Sequence, residues 1–207
     1  ETVVALGAPK LRDTIKEALA RGAKEAVLLI DPAFQGSDSM ATAKALAKAI
    51  EKIGTYDLLL LGEGSTDNYS GQVPSRLAEI LDLPAITYVR ELKVQEGKIR
   101  AVRDMEEAFE VVESDLPALV TVTSEINEPR LASLLQILKA AKKPIQEWSP
   151  QDLGLSEGEA GEVASSIEVM SNLAPEQERK EIVFEGIIEE TVEKLVESLL
   201  KEGVVER

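Results

Sequence analysis

The sequence contains no cysteine and no histidine in its 207 residues. Disulfide bonds, thiolate nucleophiles, zinc–thiolate sites and histidine-based acid–base catalysis are therefore excluded for this chain acting alone. We expect no catalytic side chain and no metal site, so any redox chemistry must be carried out by a bound cofactor. The absence of cysteine, combined with a high content of Glu and Lys, also predicts a cytoplasmic protein.

Long apolar runs and an excess of positive charge are missing as well. No apolar run approaches the roughly 20 residues that a membrane-spanning helix needs, so we expect no direct membrane insertion. The net charge of −15 at pH 7 makes nucleic acids and anionic membranes unfavourable partners, because their negative charges would be repelled. With 44% apolar and 29% charged residues, the composition is that of a soluble globular protein.

Apolar runs alternate with helical patterns through the first third of the chain. Strands are predicted at Thr2–Leu6, Ala26–Ile30 and Asp57–Leu61. The helix after the first strand is expected to end at Gly22, and Ser37 or Asp38 is expected to cap the next helix. Because such alternation forms right-handed βαβ units, we predict an α/β fold with a three-layer, doubly wound, mostly parallel Rossmann-like sheet.

The middle of the chain changes character. An antiparallel hairpin is predicted from Ala85–Val94 and Ile99–Arg103, with Phe109–Val112 as a further antiparallel strand. Ala118–Val122 returns to a buried strand of the parallel type, and an apolar helix is predicted over Leu131–Ala141. The chain starts without Met and directly in a strand, so we expect N-terminal elements of the fold to lie upstream of it.

The composition shifts again beyond Pro150, toward Gly, Ser and Glu. In this part we predict a linker, two short strands and an amphipathic helix: Gly154–Ser166, Ile167–Met170, Ile182–Phe184 and Ile188–Leu200. So short a tail cannot hold its own core and must pack on something else. We therefore divide the chain into an α/β domain at 1–150 and an extended C-terminal arm at 151–207.

The loop Gly62–Gln72 follows the third predicted strand and contains three glycines, two serines, a threonine, an aspartate and an asparagine. Glycine lets backbone N–H groups approach a phosphate closely, and the helix that follows presents its positive end. Ser65, Thr66 and Ser70 add hydroxyl donors, and Asp67 is an acceptor for a ribose hydroxyl. The loop matches neither the GxGxxG pattern nor a P-loop, so an ordinary polar loop is the alternative.

A more specific pattern is Asn127-Glu128-Pro129-Arg130 followed by an apolar helix with a Lys-rich end. Together with Ala101-Val102-Arg103, Glu106-Glu107 and Pro117–Thr121, this segment resembles the β-subunit family of electron-transferring flavoproteins. The loop Gly62–Val73 aligns with the nucleotide loop of that family, and the resemblance spans nearly the whole chain. Ala108 departs from the family pattern, where Gly or an acidic residue is usual.

The resemblance implies an electron-carrier subunit without catalytic side chains of its own. Such a subunit pairs with a larger α-subunit that carries FAD, and it buries a second adenine nucleotide, either AMP or FAD. The positions implied to contact this nucleotide are Leu6, Gly62, Glu63, Gly64, Ser65, Thr66, Asp67, Asn68, Tyr69, Ser70, Gly71, Gln72 and Val73. For Leu6, the alternative is a core residue at the end of a strand.

The choice between FAD and AMP rests on residues 67–74. AMP-type members of the family usually carry an Asn-Gln-Thr-Gly run across this loop, whereas Ser70-Gly71-Gln72-Val73-Pro74 is closer to the electron-bifurcating members. The resemblance therefore favours FAD. It then implies that this flavin accepts two electrons from a nicotinamide nucleotide and passes them along two paths.

The same resemblance implies a surface that docks redox partners: acyl-CoA or other dehydrogenases, or a quinone oxidoreductase. The residues implied are Asn127, Glu128, Pro129, Arg130, Leu134, Lys139 and Lys142. Leu134 would be an anchor in an apolar pocket of the partner; the alternative places it on the buried face of its helix. The lysines either complement the negative end of that helix or steer an acidic partner.

A rival interpretation keeps the same sheet and a similar loop. Universal-stress-like or ATP-pyrophosphatase-like domains bind ATP or AMP and would act here as homodimers. Those proteins lack the Asn127–Arg130 segment and the C-terminal arm, so the two interpretations differ in their partner: a larger flavoprotein subunit or a second copy of this chain.

Overall fold

The computed structural model describes residues 1–65, 69–174 and 181–205. The chain divides into two compact units, Glu1–Glu168 and Val169–Arg207. The first contains eight strands: β1 (Thr2–Leu6), β2 (Glu25–Leu29), β3 (Leu58–Gly62), β4 (Ala85–Gln95), β5 (Lys98–Asp104), β6 (Phe109–Asp115), β7 (Ala118–Val122) and β8 (Ile145–Trp148). Its helices are α1 (Leu11–Arg21), α2 (Ser39–Ile53), α3 (Gln72–Ile80), α4 (Leu134–Ala140) and α5 (Gly161–Ala164). Short 3-10 turns cover Pro32–Phe34, Ser124–Ile126 and Gln151–Leu153.

A three-stranded parallel sheet in the order β1-β2-β8 forms the first part of this unit. Consecutive side chains of β2 point to opposite faces. Val27 and Leu29 pack against the α2 alanines Ala45 and Ala49. The neighbouring Leu28 packs with residues of α1 and α4. This sheet therefore lies between two helical layers, which confirms the predicted three-layer α/β arrangement.

The second sheet has the order β3-β7-β4-β5-β6. Its strands β3, β7 and β4 are parallel, and β4, β5 and β6 are antiparallel, as the hairpin prediction requires. Leu119 of β7 is fully buried beneath α2 and α3, so α2 packs on both sheets. Within the described residues, β1 and β3 each pair with a strand on one side only.

The hairpin turn is fixed by two consecutive residues with left-handed backbone. Glu96 has φ +50° and Gly97 has φ +77°. Two positive φ angles in succession are the signature of the tight turns that match the twist of antiparallel strands. The predicted boundary between the β4 and β5 strands is confirmed within one residue at each side.

Several local predictions were wrong. Strand β8 was not predicted, and α4 begins at Leu134 instead of Leu131, because Ser133 and Gln136 form a capping box there. The segment 154–166, predicted as a linker, buries Leu155 and Ala160 in the core beside α2. Of the short strands predicted near residues 167–170 and 182–184, neither forms in the part of the chain that is described.

The second unit contains α6 (Ile188–Lys201), which confirms the predicted helix at the end of the chain. Its apolar side chains form a stripe, because Ile188, Val192, Leu195 and Leu199 recur every three or four residues. None of the residues of α6 is buried. Across the described ranges, no helix has both the length and the apolar character required to cross a bilayer.

Candidate functional site

A cavity of about 430 Å³ lies at the carboxyl ends of β1 and β2. Its lining comes from the loops that follow these two strands: Leu6, Gly7, Ala8, Pro9, Ile30, Asp31, Pro32, Phe34 and Gln35. Parallel α/β sheets bind ligands at this edge, and the volume falls within the range of small-molecule sites. The lining is mostly apolar with several backbone polar groups, which suits a flat heterocycle with a polar rim.

The N-termini of α2 and α3 differ in how their first backbone N–H groups are hydrogen-bonded. The Asp38 carboxylate accepts hydrogen bonds from Met40 N at 2.9 Å and Ala41 N at 2.8 Å, so the first turn of α2 is already occupied by a negative charge. Those bonds, the one from Ala41 first, lower the pKa of Asp38. A phosphate is therefore not expected at α2.

The N-terminus of α3 is different. Gly71 stands at its N-cap with φ +61° and has no side chain that could cap it. Among the described residues, no hydrogen bond reaches the first N–H groups of α3. Unpaired N–H groups at the positive end of a helix are the common geometry of phosphate binding. The loop Gly62–Val73 thus ends at the helix start best prepared for an anion.

Within this loop, the aromatic ring of Tyr69 packs against Gly64. A Cβ at Gly64 would lie 3.1 Å from the ring, so the close approach requires glycine. The Tyr69 hydroxyl donates a hydrogen bond to the Glu63 carboxylate, and this bond raises the pKa of Tyr69. The Glu63 carboxylate therefore already has a hydrogen-bond donor within the loop.

A side-chain bridge joins the loop to the edge of the cavity. The Gln72 amide oxygen accepts hydrogen bonds from Ser39 Oγ at 3.1 Å and from Arg76 Nη2 at 2.6 Å. Ser39 is the first residue of α2, directly after the loop 31–38 that lines the cavity. The N-termini of α2 and α3 are therefore linked through side-chain hydrogen bonds.

The predicted nucleotide residues fall into three groups. Leu6 lines the cavity, and its side chain also packs on the core, so both interpretations of this residue agree with its position. Gly62, Glu63, Gly64, Ser65, Tyr69, Ser70, Gly71, Gln72 and Val73 follow β3 in one loop. Thr66, Asp67 and Asn68 lie outside the described residues.

The prediction missed most of the cavity lining. The stretches Gly7–Pro9 and Asp31–Gln35 were not predicted to contact a ligand, although they follow strands of the same parallel sheet. Because successive parallel strands end at the same edge, the rule that placed Gly62–Gln72 at a ligand site also applies to these two loops. That rule, applied to every predicted strand end, would have found them.

The predicted docking segment is strongly exposed. Leu134 is 72% exposed and Leu131 is 92% exposed, while Leu135, Ile137 and Leu138 are also exposed. Only Ala140 is buried on α4. This excludes, for the isolated chain, the alternative in which Leu134 lies on a buried helix face. Several exposed apolar side chains on one short helix are typical of interaction surfaces.

Two basic side chains fasten the ends of this segment to α1. Arg130 Nη2 donates to Arg21 O at 2.7 Å. Lys143 Nζ donates to Leu19 O at 2.7 Å and to Ala23 O at 2.5 Å. Both therefore complement the backbone carbonyls at the negative end of α1. Asn127, Glu128, Pro129, Lys139 and Lys142 are exposed.

Nothing in the described ranges resembles a metal site: no group of three or more carboxylate side chains converges on a common point. The arrangement as a whole offers a cavity at a sheet edge, backbone N–H groups without a side-chain cap at α3 and exposed apolar side chains on α4.

Comparison with known proteins agrees with this arrangement. Residues 2–153 match the family model described as the electron transfer flavoprotein domain. The chain is 39% identical over 205 residues to the electron transfer flavoprotein subunit beta of Thermoanaerobacterium thermosaccharolyticum, covering 99% of this chain and 78% of that protein. It is 33% identical over 204 residues to the subunit of the same name from Clostridium acetobutylicum, with 99% and 78% coverage.

A third relative is subunit CarD of a caffeyl-CoA reductase-Etf complex from Acetobacterium woodii. It is 36% identical over 204 residues, which cover 98% of this chain and 78% of that protein. The family model matches most of the first unit, and the relatives align over nearly the whole chain. The chain belongs to the β-subunit family of electron transfer flavoproteins.

Proposed function

We propose that this chain binds an adenine nucleotide at the carboxyl edge of its parallel strands and acts as the β-subunit of a heterodimeric electron carrier. The observations that carry the proposal are the cavity at the ends of β1 and β2 and the uncapped N-terminus of α3, where Gln72 is hydrogen-bonded to Ser39 at the start of α2. The adenine would occupy the apolar cavity, and the phosphates would accept hydrogen bonds from the backbone of Gly71–Val73.

The chain's own residues supply binding and orientation in this proposal. The flavin supplies the redox chemistry when it is bound. The Tyr69 hydroxyl donates to the Glu63 carboxylate and so orients this side chain within the loop. The bridge Ser39–Gln72–Arg76 links the start of α3 to the start of α2.

The nucleotide is tested by co-expressing the chain with its α-subunit and extracting the small molecules from the purified complex. Mass analysis then counts FAD and AMP per heterodimer. Two FAD support a second flavin in this subunit and electron bifurcation, and one FAD with one AMP supports a simple carrier. A complex with one FAD and no further adenine compound contradicts the nucleotide site.

We favour FAD over AMP on the run Ser70–Pro74, which is closer to bifurcating members of the family. If that is correct, NADH reduces the flavin of this subunit in the heterodimer. Anaerobic titration with NADH, followed by visible absorbance, then shows more than one flavin reduced per complex.

The second part of the proposal is that α4 docks a redox partner. The relative from Acetobacterium woodii is named as part of a complex with caffeyl-CoA reductase, which supports dehydrogenases and reductases of CoA thioesters as the class of partner. The exposed Leu134 is the proposed anchor, and burying such a side chain contributes roughly 1.5–3 kcal/mol.

Leu134→Ala tests this role. Electron exchange with a purified acyl-CoA dehydrogenase is expected to need at least tenfold more partner for half-maximal rate, consistent with about 1.5–3 kcal/mol of lost burial. Val94→Ala, at another exposed apolar side chain (49% exposed), is the control and should leave the rate unchanged. If Leu134→Ala loses nucleotide or unfolds, Leu134 is a structural residue and the assignment is wrong.

The third part concerns the arm. The apolar stripe of α6 has no buried residue, and we propose that the α-subunit covers it. Homodimerisation, which the rival interpretation requires, is the other way to cover this stripe. Light scattering of the purified chain with and without the α-subunit separates the two: a 1:1 complex supports the carrier, and a stable homodimer supports the rival.

A further inference from the structure

One residue of β4 has a backbone conformation that strands do not normally contain. Tyr88 has φ +56°, in the left-handed region, and the pairing of β4 with β7 shifts register around it, between Ile86 and Val89. A bulky side chain rarely adopts this conformation, because it crowds its own backbone. Such a residue persists where its surroundings hold it in place, and it commonly marks a binding site.

Hydrogen bonds from two neighbouring strands hold this bulge. Tyr88 N donates to Thr121 Oγ1 of β7 at 3.0 Å, and Thr121 is 2% exposed. Arg103 of β5 donates from Nε to Thr87 O at 2.9 Å and from Nη2 to Thr87 Oγ1 at 3.1 Å. The backbone at residues 87 and 88 is therefore fixed from both sides of β4.

The bulge lies at the carboxyl edge of the parallel strands. Val122, the last residue of β7, pairs with Gly62 of β3 on one side and with Val89 of β4 on the other. Tyr88 therefore stands two strands away from the start of the nucleotide loop, about 10 Å at the usual strand spacing. Because Tyr88 is 45% exposed, its ring is accessible to a ligand at this edge.

Tyr69 is a second exposed aromatic residue at this place. It is 59% exposed and also has left-handed backbone, with φ +42°. The pKa of Tyr69 is raised first by its hydrogen bond to Glu63, and the nearby phenol of Tyr88 raises it as well. The rings of Tyr69 and Tyr88 are therefore neighbours beside the nucleotide loop.

These two rings lie where the far end of a dinucleotide would reach. A mononucleotide whose phosphate is bound at the start of α3 ends there. A dinucleotide continues past its phosphates to a second ring, and in α/β folds it lies across several strand ends. In the order β3-β7-β4, the strands that follow β3 are β7 and β4, and β4 carries Tyr88.

We propose that Tyr69 and Tyr88 form a stacking platform for the second ring of an adenine dinucleotide, either the flavin of FAD or the nicotinamide of NADH. The platform makes the site selective for dinucleotides over AMP. The inference rests on the proposed function, because it needs phosphates at the start of α3. Stacking of a heteroaromatic ring on an aromatic side chain strengthens binding by at least about fivefold.

The test uses the heterodimer with the α-subunit, loaded with radiolabelled AMP in the site of this chain. FAD, NADH and ADP-ribose are each added until half of the label is released. ADP-ribose has the same ADP moiety but no second ring, so its half-release concentration divided by that of FAD or NADH measures what the ring contributes. In the unaltered chain we expect a ratio of at least about five for FAD, for NADH or for both, and the ligand that shows it identifies the ring.

Variants at residue 88 locate the effect. Tyr88→Gly removes the ring and suits the left-handed backbone, so the ratio should fall toward one while the fold is kept. Tyr88→Phe keeps the ring and should keep the ratio. Phe109→Ala removes an exposed aromatic ring from β6 and is the matched control, which should also keep the ratio. If Tyr88→Gly does not fold, Tyr88→Asn replaces it, because Asn tolerates left-handed backbone as well.

A ratio near one in the unaltered chain overturns the platform, and so does an unchanged ratio in Tyr88→Gly or Tyr88→Asn. An equal fall in Phe109→Ala also overturns it, since the ratio would then follow exposed aromatic surface in general. If the heterodimer retains no labelled AMP, the nucleotide site of the proposed function is contradicted and the platform with it. That result is distinct from a site that holds AMP but shows a ratio near one.

Discussion

Tyr69 shows how one residue shapes the nucleotide loop. It has left-handed backbone with φ +42°, which places its ring on Gly64 and its hydroxyl on Glu63. The hydrogen bond to that carboxylate raises the pKa of Tyr69, because ionising the phenol would bring two negative charges together. A raised pKa of Tyr69 therefore reports the hydrogen bond between Tyr69 and Glu63.

Subtracting the ultraviolet titration curve of Tyr69→Phe from that of the unaltered chain isolates the titration of Tyr69. We predict that the midpoint of this difference curve lies above the ordinary tyrosine pKa of about 10. Tyr56→Phe serves as the control, since it removes a tyrosine without touching the Glu63 contact. A difference curve for Tyr69 centred at or below about 10 would show that the bond to Glu63 does not form in solution.

Asp38 links the start of α2 to Ser166, and its charge makes the stability of the fold pH-dependent. Its carboxylate caps α2 and accepts from Ser166, and these bonds lower its pKa in the folded chain. Arg76 of α3 lowers the pKa further through its positive charge. The resulting stability is therefore present above the unfolded pKa of about 3.9 and is lost as the pH falls through the lower folded pKa.

For Asp38→Ala we predict a loss of roughly 0.5–2 kcal/mol in the free energy of unfolding at pH 7, the usual cost of losing an N-cap. The difference from the unaltered chain should shrink as the pH is lowered below about 4. Urea unfolding at a series of pH values measures both. A difference that grows toward low pH would contradict the assigned role.

At the scale of elements, the sequence predicted those with strong local signals. The apolar runs of β1, β2, β3 and β7 were located within one or two residues. The hairpin was predicted from the turn Gln95-Glu96-Gly97-Lys98, which lies between the two predicted strands. By contrast, β8 spans four residues and pairs with β2, more than 100 residues earlier in the chain, so its existence depends on a contact that no local pattern reveals.

Helix α4 illustrates how two elements far apart in sequence depend on each other. Only Ala140 of this helix is buried, so apolar packing holds it weakly. Lys143 compensates by donating to Leu19 O and Ala23 O at the end of α1. The prediction had interpreted the lysines through the dipole of their own helix or through an acidic partner, because the end of α1 is not a neighbour in sequence.

We predict that Lys143→Met lowers the free energy of unfolding by about 1 kcal/mol, since it removes a charged donor from the helix end while keeping the aliphatic stem. Lys142→Met is the matched control. Lys142 is exposed and its side chain makes no hydrogen bond or ion pair within the described ranges, so the loss should be within about 0.5 kcal/mol of zero. Equal effects of the two substitutions in chemical denaturation would refute the capping role of Lys143.

At the scale of the whole molecule, composition and one resemblance led to the family, whereas the site required the coordinates. The absence of Cys and His already excluded side-chain redox chemistry. The loop Gly62–Val73 was found from its glycines, but the cavity arises where the ends of β1 and β2 meet. The bonds from Gly161 N to Ser37 Oγ and from Ser166 N to Asp38 Oδ2 join residues 124 and 128 positions apart, and only the fold shows that these residues are neighbours.

The division into two units yields the last prediction. The first unit contains all eight strands and every residue of the four apolar clusters, whereas α6 buries nothing in the second. Ending the chain after Glu168 should therefore leave the first unit folded and remove the surface that we assign to the α-subunit. Trp148, the only tryptophan, packs in the first unit with Lys52 4.5 Å from its ring, so its fluorescence reports on that unit alone.

In urea, the Trp148 transition of the shortened chain should have its midpoint within about 0.3 M of that of the full chain, because the core is unchanged. The slope of the transition should also be similar, since it depends on the surface that unfolding exposes. In a pull-down with the tagged α-subunit, the shortened chain should be lost while the full chain is retained. An early, broad transition would mean that the arm supports the core. Retention of the shortened chain would mean that the first unit itself holds the partner, since the apolar stripe of α6 would then be dispensable.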